Sequence, residues 1–263
     1  MIDKHEGRRL FGADPAAYDG ARPGHADRVY EVLVERCGLR PGTSVLEIGP
    51  GTGQATRRLL ALGADPLVAV EPDPVLAEYL ASVTDGRPDT RLVALEDAEL
   101  PAASFDLAVA ASSFHWVDEE VGLTRIFEAL RAGGWIALWW TLFGEGDEPD
   151  AFIEATSPLL EGLTPSPSRS TAGEPHALDT DARLGALRSA GFEDSSHEAV
   201  RWTASWDTSG IRALYGTFSP IARLDEVRKA EILDGVARIA ERDFGGRVER
   251  MLTTSLYTAR KPR

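Results

Sequence analysis

The sequence predicts an α/β fold with a doubly wound, mostly parallel seven-stranded sheet. Three observations support this class. Short apolar strand segments alternate with helical segments in the first half of the chain, a loop-rich stretch begins at residue 143, and two further strand segments follow it. Strands that alternate with helices form a parallel sheet covered by helices on both faces. The loop-rich stretch predicts a small helical cap on this sheet.

The elements of the first half can be placed from their caps and apolar spacing. Asp73 precedes Pro74 and predicts the start of a helix, because Asp is a favoured N-cap and Pro suits the first helical position. Gly133 and Gly134 predict the end of a later helix by a left-handed cap. The expected strands are 44–48, 67–70, 92–95, 105–111 and 135–140, and the expected helices are 27–37, 54–62, 74–83 and 118–131.

The second half returns to regular structure after the loop-rich stretch. Gly144, Pro149, Pro165 and Pro167 mark that stretch as irregular around a single helix, 150–160. The remaining expected elements are a helix at 181–190, an alternating strand at 198–206, helices at 208–217 and 224–242, and a last strand at 248–259.

Charge and composition limit the partners. The 263-residue chain has a net charge of −14 and shows no large Lys/Arg cluster, whereas a nucleic-acid binder normally carries a basic face. We therefore expect no nucleic-acid partner. No apolar run approaches the roughly 20 residues that cross a bilayer, and the first residues lack the apolar core of a secretory signal. We expect no membrane partner and a cytoplasmic location; the oligomeric state stays open.

Cysteine and histidine usage bears on metal and redox chemistry. The single cysteine, Cys37, lies in an apolar helical pattern and is expected to be a buried core thiol. No Cys/His cluster has metal-ligand spacing, so we predict no metal site.

A glycine-rich turn follows the first expected strand. Gly49, Gly51 and Gly53 let the backbone turn tightly and approach a ligand, and the helix that begins at Gln54 points its first N–H groups into the turn. Glu47, two residues before the first glycine, would repel a pyrophosphate and attract a cation. Its charge favours S-adenosylmethionine over a dinucleotide, and the glycine spacing does not fit the dinucleotide fingerprint.

These residues resemble the first motif, E/D-x-G-x-G-x-G, of class I S-adenosylmethionine-dependent methyltransferases. The resemblance implies a Rossmann-like methyltransferase fold whose sheet ends in an antiparallel pair. It also implies that Glu47, the three glycines and Gln54 bind the cofactor. We expect residues 1–142 to form the cofactor-binding half with an N-terminal arm, 143–180 a loop-rich cap insertion, and 181–263 the C-terminal half.

An acidic residue follows the second expected strand. Glu71 lies about 20 residues after the glycines, where a carboxylate of a nucleotide-binding α/β fold accepts both ribose hydroxyls. The resemblance gives Glu71 this ribose role and places Pro72 against the adenine. A helix-capping or surface role for Glu71 is the alternative.

The segment after the third expected strand also matches the family. Asp97-Ala98-Glu99-Leu100-Pro101 is similar to its Asp-Ala…Leu-Pro segment. The resemblance implies that the Asp97 side chain binds the adenine amino group and that the Ala98 N–H reaches the ring. A plain acidic loop is the alternative.

The loop after the fourth strand should face the methyl group and the substrate, because ligands of open α/β sheets lie beyond the carboxyl ends of the strands. Ser112 begins this loop and is assigned to the cofactor site. His115 is the candidate catalytic base for a hydroxyl acceptor, since its pKa can be tuned near neutrality. A packing or hydrogen-bonding role for His115 stays open, and His176 in the insertion is a further residue that could reach a substrate.

An N-terminal segment resembles one methyltransferase subfamily. Tyr18 and Arg22-Pro23 match its Y-x-x-x-R-P pattern, which occurs in bacterial small-molecule enzymes similar to trans-aconitate methyltransferase. The resemblance implies that Tyr18 and Arg22 close over the cofactor, with Arg22 near a carboxylate. An ordinary anchored N-terminal arm is the alternative.

The sequence thus predicts methyl transfer from S-adenosylmethionine to a small molecule, with an oxygen acceptor expected. Carbon and nitrogen acceptors stay open. The rivals are a non-catalytic module that binds S-adenosylmethionine and a methyltransferase that acts on protein or RNA.

Overall fold

The computed structural model describes residues 14–143, 150–164 and 175–263. The remaining residues, 1–13, 144–149 and 165–174, lie outside the described part; they include His5 and part of the loop-rich stretch. The described residues form a seven-stranded sheet. Its strands are β1 (Thr43–Ile48), β2 (Ala64–Val70), β3 (Asp89–Arg91), β4 (Phe105–Ala111), β5 (Leu130–Phe143), β6 (Glu193–Asp207) and β7 (Arg247–Arg260).

The strand order explains where a ligand can bind. The strands lie in the order β3-β2-β1-β4-β5-β7-β6. The first five are parallel to their neighbours, whereas β7 is antiparallel to both β5 and β6. The expected mostly parallel sheet is confirmed, with mixed orientation at one edge. The order reverses between β1 and β4, and ligands of open α/β sheets bind beyond the carboxyl ends of the strands at such a reversal.

The helices begin where the sequence predicts caps. Asp73 accepts hydrogen bonds from the backbone N–H groups of Val75 and Leu76, and Asp118 accepts one from Val121. No helix of the described ranges is long and apolar enough to span a membrane. The α-helices are α1 (Pro15–Ala21), α2 (Asp27–Glu35), α3 (Gln54–Ala61), α4 (Pro74–Val83), α5 (Glu119–Ala129), α6 (Ala151–Thr156), α7 (Thr180–Ser189), α8 (Thr208–Gly216), α9 (Ser219–Ala222) and α10 (Glu226–Phe244).

Both faces of the sheet are covered. Alternate side chains of a strand point to opposite faces. On one face Val45 of β1 packs in a cluster with residues of α2, α3 and α4, and on the other face Leu46 packs with residues of α5 and α7. Cys37 is buried in the first cluster, and burial raises the pKa of its thiol to about 12. The thiol is therefore a core residue, as expected.

A third cluster joins the helices of the second half to the ends of the late strands. Four helices, α6, α8, α9 and α10, pack with β7 around a separate apolar centre; we call them the helical layer. Its buried side chains include Phe152, Ile211, Tyr215, Val236 and Val248. Phe152 meets Tyr215 edge to face with 5.8 Å between ring centroids. This layer stands beside the carboxyl end of β5, next to the strand reversal.

The third strand differs from its expected position. The apolar residues 92–95 predict the strand, but β3 is the polar segment Asp89–Arg91, paired with β2. Leu92 is 59% exposed, and Leu95 already begins a 3₁₀ turn. Because β3 is an edge strand, its pairing does not require an apolar sequence.

The end of α5 also differs. The helix stops at Ala129, and Leu130 is already extended and pairs with Phe105 of β4. Gly133 and Gly134 therefore lie inside β5 and do not cap the helix. Gly134 is needed by packing, because an added Cβ would lie 3.0 Å from the Arg131 carbonyl oxygen.

Candidate functional site

A cavity of about 610 Å³ opens at the carboxyl ends of β1, β2, β4 and β5. Its size is that of a small-molecule site. It brings together nine of the residues that the sequence assigns to the site: Tyr18, Arg22, Gly49, Gly51, Gln54, Glu71, Pro72, Ser112 and His115. The helical layer contributes the far wall of the same cavity.

The three glycines of the turn after β1 have different roles. All three have positive φ angles, between +57° and +80°, which favours glycine. At Gly49 an added Cβ would lie 2.8 Å from Ser113 Cβ, and at Gly53 it would lie 2.7 Å from Leu80 Cδ1. At Gly51 it would meet nothing within 4 Å, although Gly51 lines the cavity. Gly49 and Gly53 are therefore needed for packing, and Gly51 leaves room for a ligand.

Glu71 is fixed beside this turn. Its side chain follows β2 and is 4% exposed. Oε2 accepts a hydrogen bond from the Gly51 N–H at 3.1 Å, and Oε1 accepts one from the Asp73 N–H at 3.0 Å. Bonds to backbone donors stabilise the ionised carboxylate and hold it still. The cavity thus contains a preorganised acceptor next to the ligand space of Gly51.

Glu47 lies beneath the turn and does not line the cavity. It is fully buried in β1, and within the described residues neither carboxylate oxygen forms a hydrogen bond. Burial raises the pKa of its carboxyl group to about 7; the nearby Thr56 hydroxyl opposes this shift and Glu71 adds to it. Thr56 acts only electrostatically, because its hydroxyl does not meet hydrogen-bond geometry. Alternate side chains of a strand share a face, so Glu47 lies on the same face as Val45, the one covered by α2, α3 and α4.

The loop after β3 presents Glu96 rather than Asp97 to the cavity. The 3₁₀ turn Leu95–Asp97 leaves Asp97 exposed and Ala98 buried. Neither lines the cavity, whereas Glu96 does, and Glu96 Oε1 accepts a hydrogen bond from the Asp118 N–H at 3.0 Å. The residue that reaches the cavity is one position earlier than the sequence predicts, because the geometry of this 3₁₀ turn has no local signature in the sequence. The adenine contacts of Asp97 and Ala98 stay predictions.

The exit of β4 is tied to the glycine turn. Ser112 has a φ of +54°, uncommon for a residue other than glycine, and its N–H donates to the Trp139 carbonyl at 2.7 Å. The Ser113 hydroxyl donates to the Ile48 carbonyl at 2.5 Å. These bonds fix the loop that carries His115 against the end of β1.

His115 is oriented by a tryptophan of β5. Trp140 Nε1 donates a hydrogen bond to His115 Nδ1 at 3.1 Å. An indole nitrogen can only donate, so Nδ1 must hold a lone pair, and the proton of the neutral imidazole is on Nε2. In this tautomer the ring presents a donor at Nε2. The contact favours the hydrogen-bonding alternative over the general base.

The N-terminal arm closes one side of the cavity. The Asp19 carboxylate accepts two bonds from Arg57, at 3.0 and 3.1 Å, and the Gln54 amide donates to the Asp19 and Arg22 carbonyls. Arg22 Nε donates to the Thr217 hydroxyl at 2.8 Å. The arm therefore bridges the cofactor half and the helical layer. Gln54 serves as its anchor while also lining the cavity.

Arg22 lies among aromatic rings. Its guanidinium carbon is 5.2 Å from the ring centroid of Tyr18, 5.6 Å from that of Phe143 and 5.1 Å from that of Phe218. Such contacts stabilise a cation. Within the described ranges no carboxylate forms an ion pair with Arg22. The cavity thus holds a positive charge available to an anionic ligand group.

Several cavity residues were not assigned from the sequence. They are Phe143, Tyr215, Phe218 and Arg250, all at the helical-layer end. The signal in the sequence is the concentration of aromatic residues in the second half, where Tyr215 and Phe218 follow Trp202 and Trp206. His176, flagged as a residue that could reach a substrate, does line the cavity. Across the described ranges, no three His, Cys, Asp or Glu side chains gather as a metal site would require.

The residues present fit S-adenosylmethionine. A Cβ at Gly51 would protrude into free space, so this glycine leaves room for a ligand. The adjacent Glu71 carboxylate is held in place by backbone donors and can accept hydrogen bonds from the two hydroxyls of a ribose. Arg22 lines the same cavity: its backbone carbonyl accepts a hydrogen bond from the Gln54 amide, while its guanidinium donates to the Thr217 hydroxyl.

Known proteins match this chain over its cofactor half or over nearly its whole length. Residues 46–138 match the family model described as a methyltransferase domain. An uncharacterized methyltransferase of Schizosaccharomyces pombe is 25% identical over 259 residues, which cover 96% of this chain and 97% of that protein. The trans-aconitate 2-methyltransferase of Mycobacterium tuberculosis is 32% identical over 127 residues, 48% of this chain and 47% of that protein. The matches to the mycobacterial relatives cover about half of this chain and about half of each of those proteins.

Solved structures share the fold. The crystal structure of the [4+2]-cyclase SpnF superposes with a TM-score of 0.63 at 20% identity, covering 100% of this chain and 98% of that chain. This likeness concerns the fold alone. The matched methyltransferase domain contains the glycine turn and Glu71. The matched domain and the methyltransferase relatives therefore show a methyltransferase that uses S-adenosylmethionine as its cofactor, on a Rossmann-like fold.

Proposed function

We propose that the protein transfers the methyl group of S-adenosylmethionine to an oxygen atom of a small molecule. The observation that carries this proposal is the continuity of the cavity. One space connects Gly51 and Glu71 with an apolar chamber lined by Phe143, Tyr215 and Phe218. A small acceptor in that chamber would lie beside the cofactor, with the helical layer excluding water.

Each cofactor contact is assigned to a residue of this chain. Glu71 accepts the ribose hydroxyls, Pro72 lies against the adenine, and Asp97 with the Ala98 N–H contacts its edge. Arg22 pairs with the methionine carboxylate, and Tyr18 closes over it. Support for the Arg22 assignment comes from its bridge to Gln54, at the start of α3, and from the absence of a carboxylate partner among the described residues.

Glu47 acts on the cofactor through its charge rather than by contact. It lies under the turn with an elevated pKa, and a cation bound above it would favour the ionised form. Gly49 and Gly53 shape the turn, and Ser112 holds the loop that faces the methyl group. We propose the division of the chain that the sequence predicts, with residues 1–142 as the cofactor-binding half with an N-terminal arm, 143–180 as the loop-rich cap insertion and 181–263 as the C-terminal half.

The transfer itself needs little covalent help from the protein. When bound, the cofactor supplies a methyl group on a sulfonium, which is already an activated leaving group. The chain contributes orientation, which can supply a large part of a rate enhancement. His115 donates a hydrogen bond from Nε2 and so orients the acceptor, while Trp140 keeps that tautomer.

A carboxylic acid is the acceptor class that we favour. The N-terminal Tyr18…Arg22 segment resembles the trans-aconitate methyltransferase subfamily, and a relative of that name matches half of the chain. The net charge of −14 and the enclosing helical layer favour a small acceptor over RNA or protein.

A cofactor-binding module without methyl transfer is the second candidate. The shared fold with a cyclase supports it, because a fold does not determine the reaction at its site. Incubation with labelled S-adenosylmethionine and a panel of carboxylic acids, phenols, amines and total RNA separates the candidates. The proposal predicts label in the esters or ethers of small molecules; label in RNA, or none with any acceptor, contradicts it.

A further inference from the structure

A buried arginine lies at the acceptor end of the cavity. Arg250 of β7 is 2% exposed, and it lines the cavity opposite the glycine turn. Burial of a guanidinium is costly unless its charge and its N–H groups are paired. Each N–H group of the Arg250 guanidinium is therefore expected to have an acceptor, in the protein or in a ligand.

Asp150 satisfies only part of this requirement. Its Oδ2 accepts a bond from Arg250 Nε at 2.8 Å, while its Oδ1 caps α6 through the Ile153 N–H at 2.9 Å. A guanidinium has five N–H donors, and Nε carries one of them. Within the described residues the two Nη groups make no hydrogen bond. Four donors of a buried side chain thus face a cavity without a protein acceptor.

The surroundings of Arg250 are apolar. Its guanidinium carbon lies 5.2 Å from the Phe143 ring centroid, and Ile153, Leu160 and Tyr215 line the cavity nearby. An apolar chamber strengthens a hydrogen bond between a buried donor and a charged acceptor, because the dielectric is low. The other groups on this wall offer a carboxylate no comparable partner.

Arg22 and Arg250 are anchored by different residues. Both guanidinium groups contact the Phe143 ring, but Arg22 is held by Thr217 and joined to α3 through Gln54, whereas Arg250 is held by Asp150. The two guanidinium groups thus have different protein partners beside the same ring, Thr217 for Arg22 and Asp150 for Arg250.

We propose that Arg250 binds a carboxylate of the methyl acceptor through its two Nη groups, and that Asp150 weakens this binding by its own charge. The proposal rests on the small-molecule function proposed above. It makes Arg250 a specificity-determining residue. A carboxylate matches the planar fork of a guanidinium in a bidentate way. Because Asp150 neutralises most of the charge, a monoanionic group suits the site better than a dianionic phosphate.

A purely structural ion pair that ties α6 to β7 predicts different behaviour. The substitution Asp150→Asn separates the two accounts, because asparagine still caps a helix but no longer carries a negative charge. If Arg250 binds a carboxylate, this change strengthens binding of acids. If the pair only holds the fold together, the change weakens every ligand or has no selective effect.

The test uses titration calorimetry of the full chain saturated with S-adenosylhomocysteine. The probes are three acids, trans-cinnamate, phenylacetate and hexanoate, each with its neutral amide. We expect at least one acid to bind the unmodified chain tenfold or more tightly than its amide. Asp150→Asn should increase that preference several-fold. The double variant Arg250→Met/Asp150→Asn, which leaves no unpaired buried charge, should abolish it.

Controls keep the two proposals apart. Arg247→Met, an exposed arginine of the same strand, should leave the preference unchanged. Titration of S-adenosylhomocysteine itself into each variant reports whether the cofactor site is intact. Equal binding of acids and amides by the unmodified chain, or a preference that survives in the double variant, overturns the role of Arg250. Intact acid preference without methyl transfer to any acceptor counts against the proposed function alone.

Discussion

The Glu71 carboxylate accepts a hydrogen bond from the Gly51 N–H at 3.1 Å, across 20 residues of chain. This bond joins the end of β2 to the turn after β1, and β1 borders the reversal of strand order. The acceptor and the open space at Gly51 therefore form before any ligand arrives. Preorganisation of this kind lowers the cost of ordering a site during binding.

Gly51 and Gly86 form a matched pair for a substitution test. Both have left-handed φ angles, +57° and +64°, and an added Cβ at either meets nothing within 4 Å. Only Gly51 lines the cavity. Alanine at either position should lower the free energy of unfolding by about 1–2 kcal/mol, the cost of a left-handed residue with a side chain.

Cofactor affinity should then differ between these two variants. We expect Gly51→Ala to weaken S-adenosylmethionine binding at least tenfold by calorimetry, because its Cβ occupies ligand space. Gly86→Ala should bind as the unmodified chain does. Equal affinities for the two variants would mean that the ligand does not approach Gly51.

Glu47 should make stability depend on pH. Its pKa is about 7 in the fold against an ordinary value of 4.5, so the folded state holds a proton that the unfolded state releases between these values. Stability due to this group is therefore present below pH 4.5 and is lost as the pH rises to about 7. The loss is on the order of 3 kcal/mol for such a shift.

The substitution Glu47→Gln isolates this effect. Urea unfolding of both proteins at pH 5 and pH 8 gives the difference in stability at each pH. We expect the free energy of unfolding of the glutamine variant, measured relative to that of the unmodified chain, to be higher at pH 8 than at pH 5. A pH-independent difference would mean that the carboxyl group titrates normally.

The His115–Trp140 bond leads to a test of the catalytic role. His115→Gln retains a side-chain N–H donor near the position of Nε2, whereas His115→Ala removes it. If the ring orients the acceptor as a donor, the glutamine variant should keep kcat/KM within about tenfold while the alanine variant loses more. A general base contributes roughly 10²–10⁴-fold, so a base role predicts that both variants fall by that amount.

Arg22 can be tested with two nucleosides that differ in one part. S-adenosylhomocysteine carries the methionine-derived carboxylate, and 5′-methylthioadenosine lacks it. Arg22→Met should weaken the first about tenfold or more and leave the second unchanged, because a charge-assisted bond is lost only for the first. Equal weakening of both would instead indicate that Arg22 supports the fold through Thr217.

The sequence predicts well those elements in which local and tertiary preferences agree. The strand at 105–111 is found at Phe105–Ala111, and Asp73 and Asp118 cap their helices, because burial on both faces and capping are readable from local residues. The prediction was wrong for β3, because this edge strand is polar rather than apolar. It was also wrong for Gly133-Gly134, which lie within β5 instead of ending a helix.

Site residues divide in the same way. The glycine turn, Glu71 and His115 lie on strand ends, so alternation of strands and helices already places them at one edge. Arg250 is different, because its position depends on the antiparallel pairing of β7 with β5 and on the packing of the helical layer. Such long-range contacts leave no local pattern in the sequence.

The most direct test of the account is calorimetric titration of S-adenosylmethionine into the unmodified chain and into Glu71→Ala. We predict one site per chain for the unmodified protein and an affinity at least tenfold lower for the variant, since the ribose loses its charged acceptor. Circular dichroism of both proteins shows that the variant is folded. No binding by the unmodified chain, or equal affinity in a folded variant, would contradict the assignment of this cavity to the cofactor.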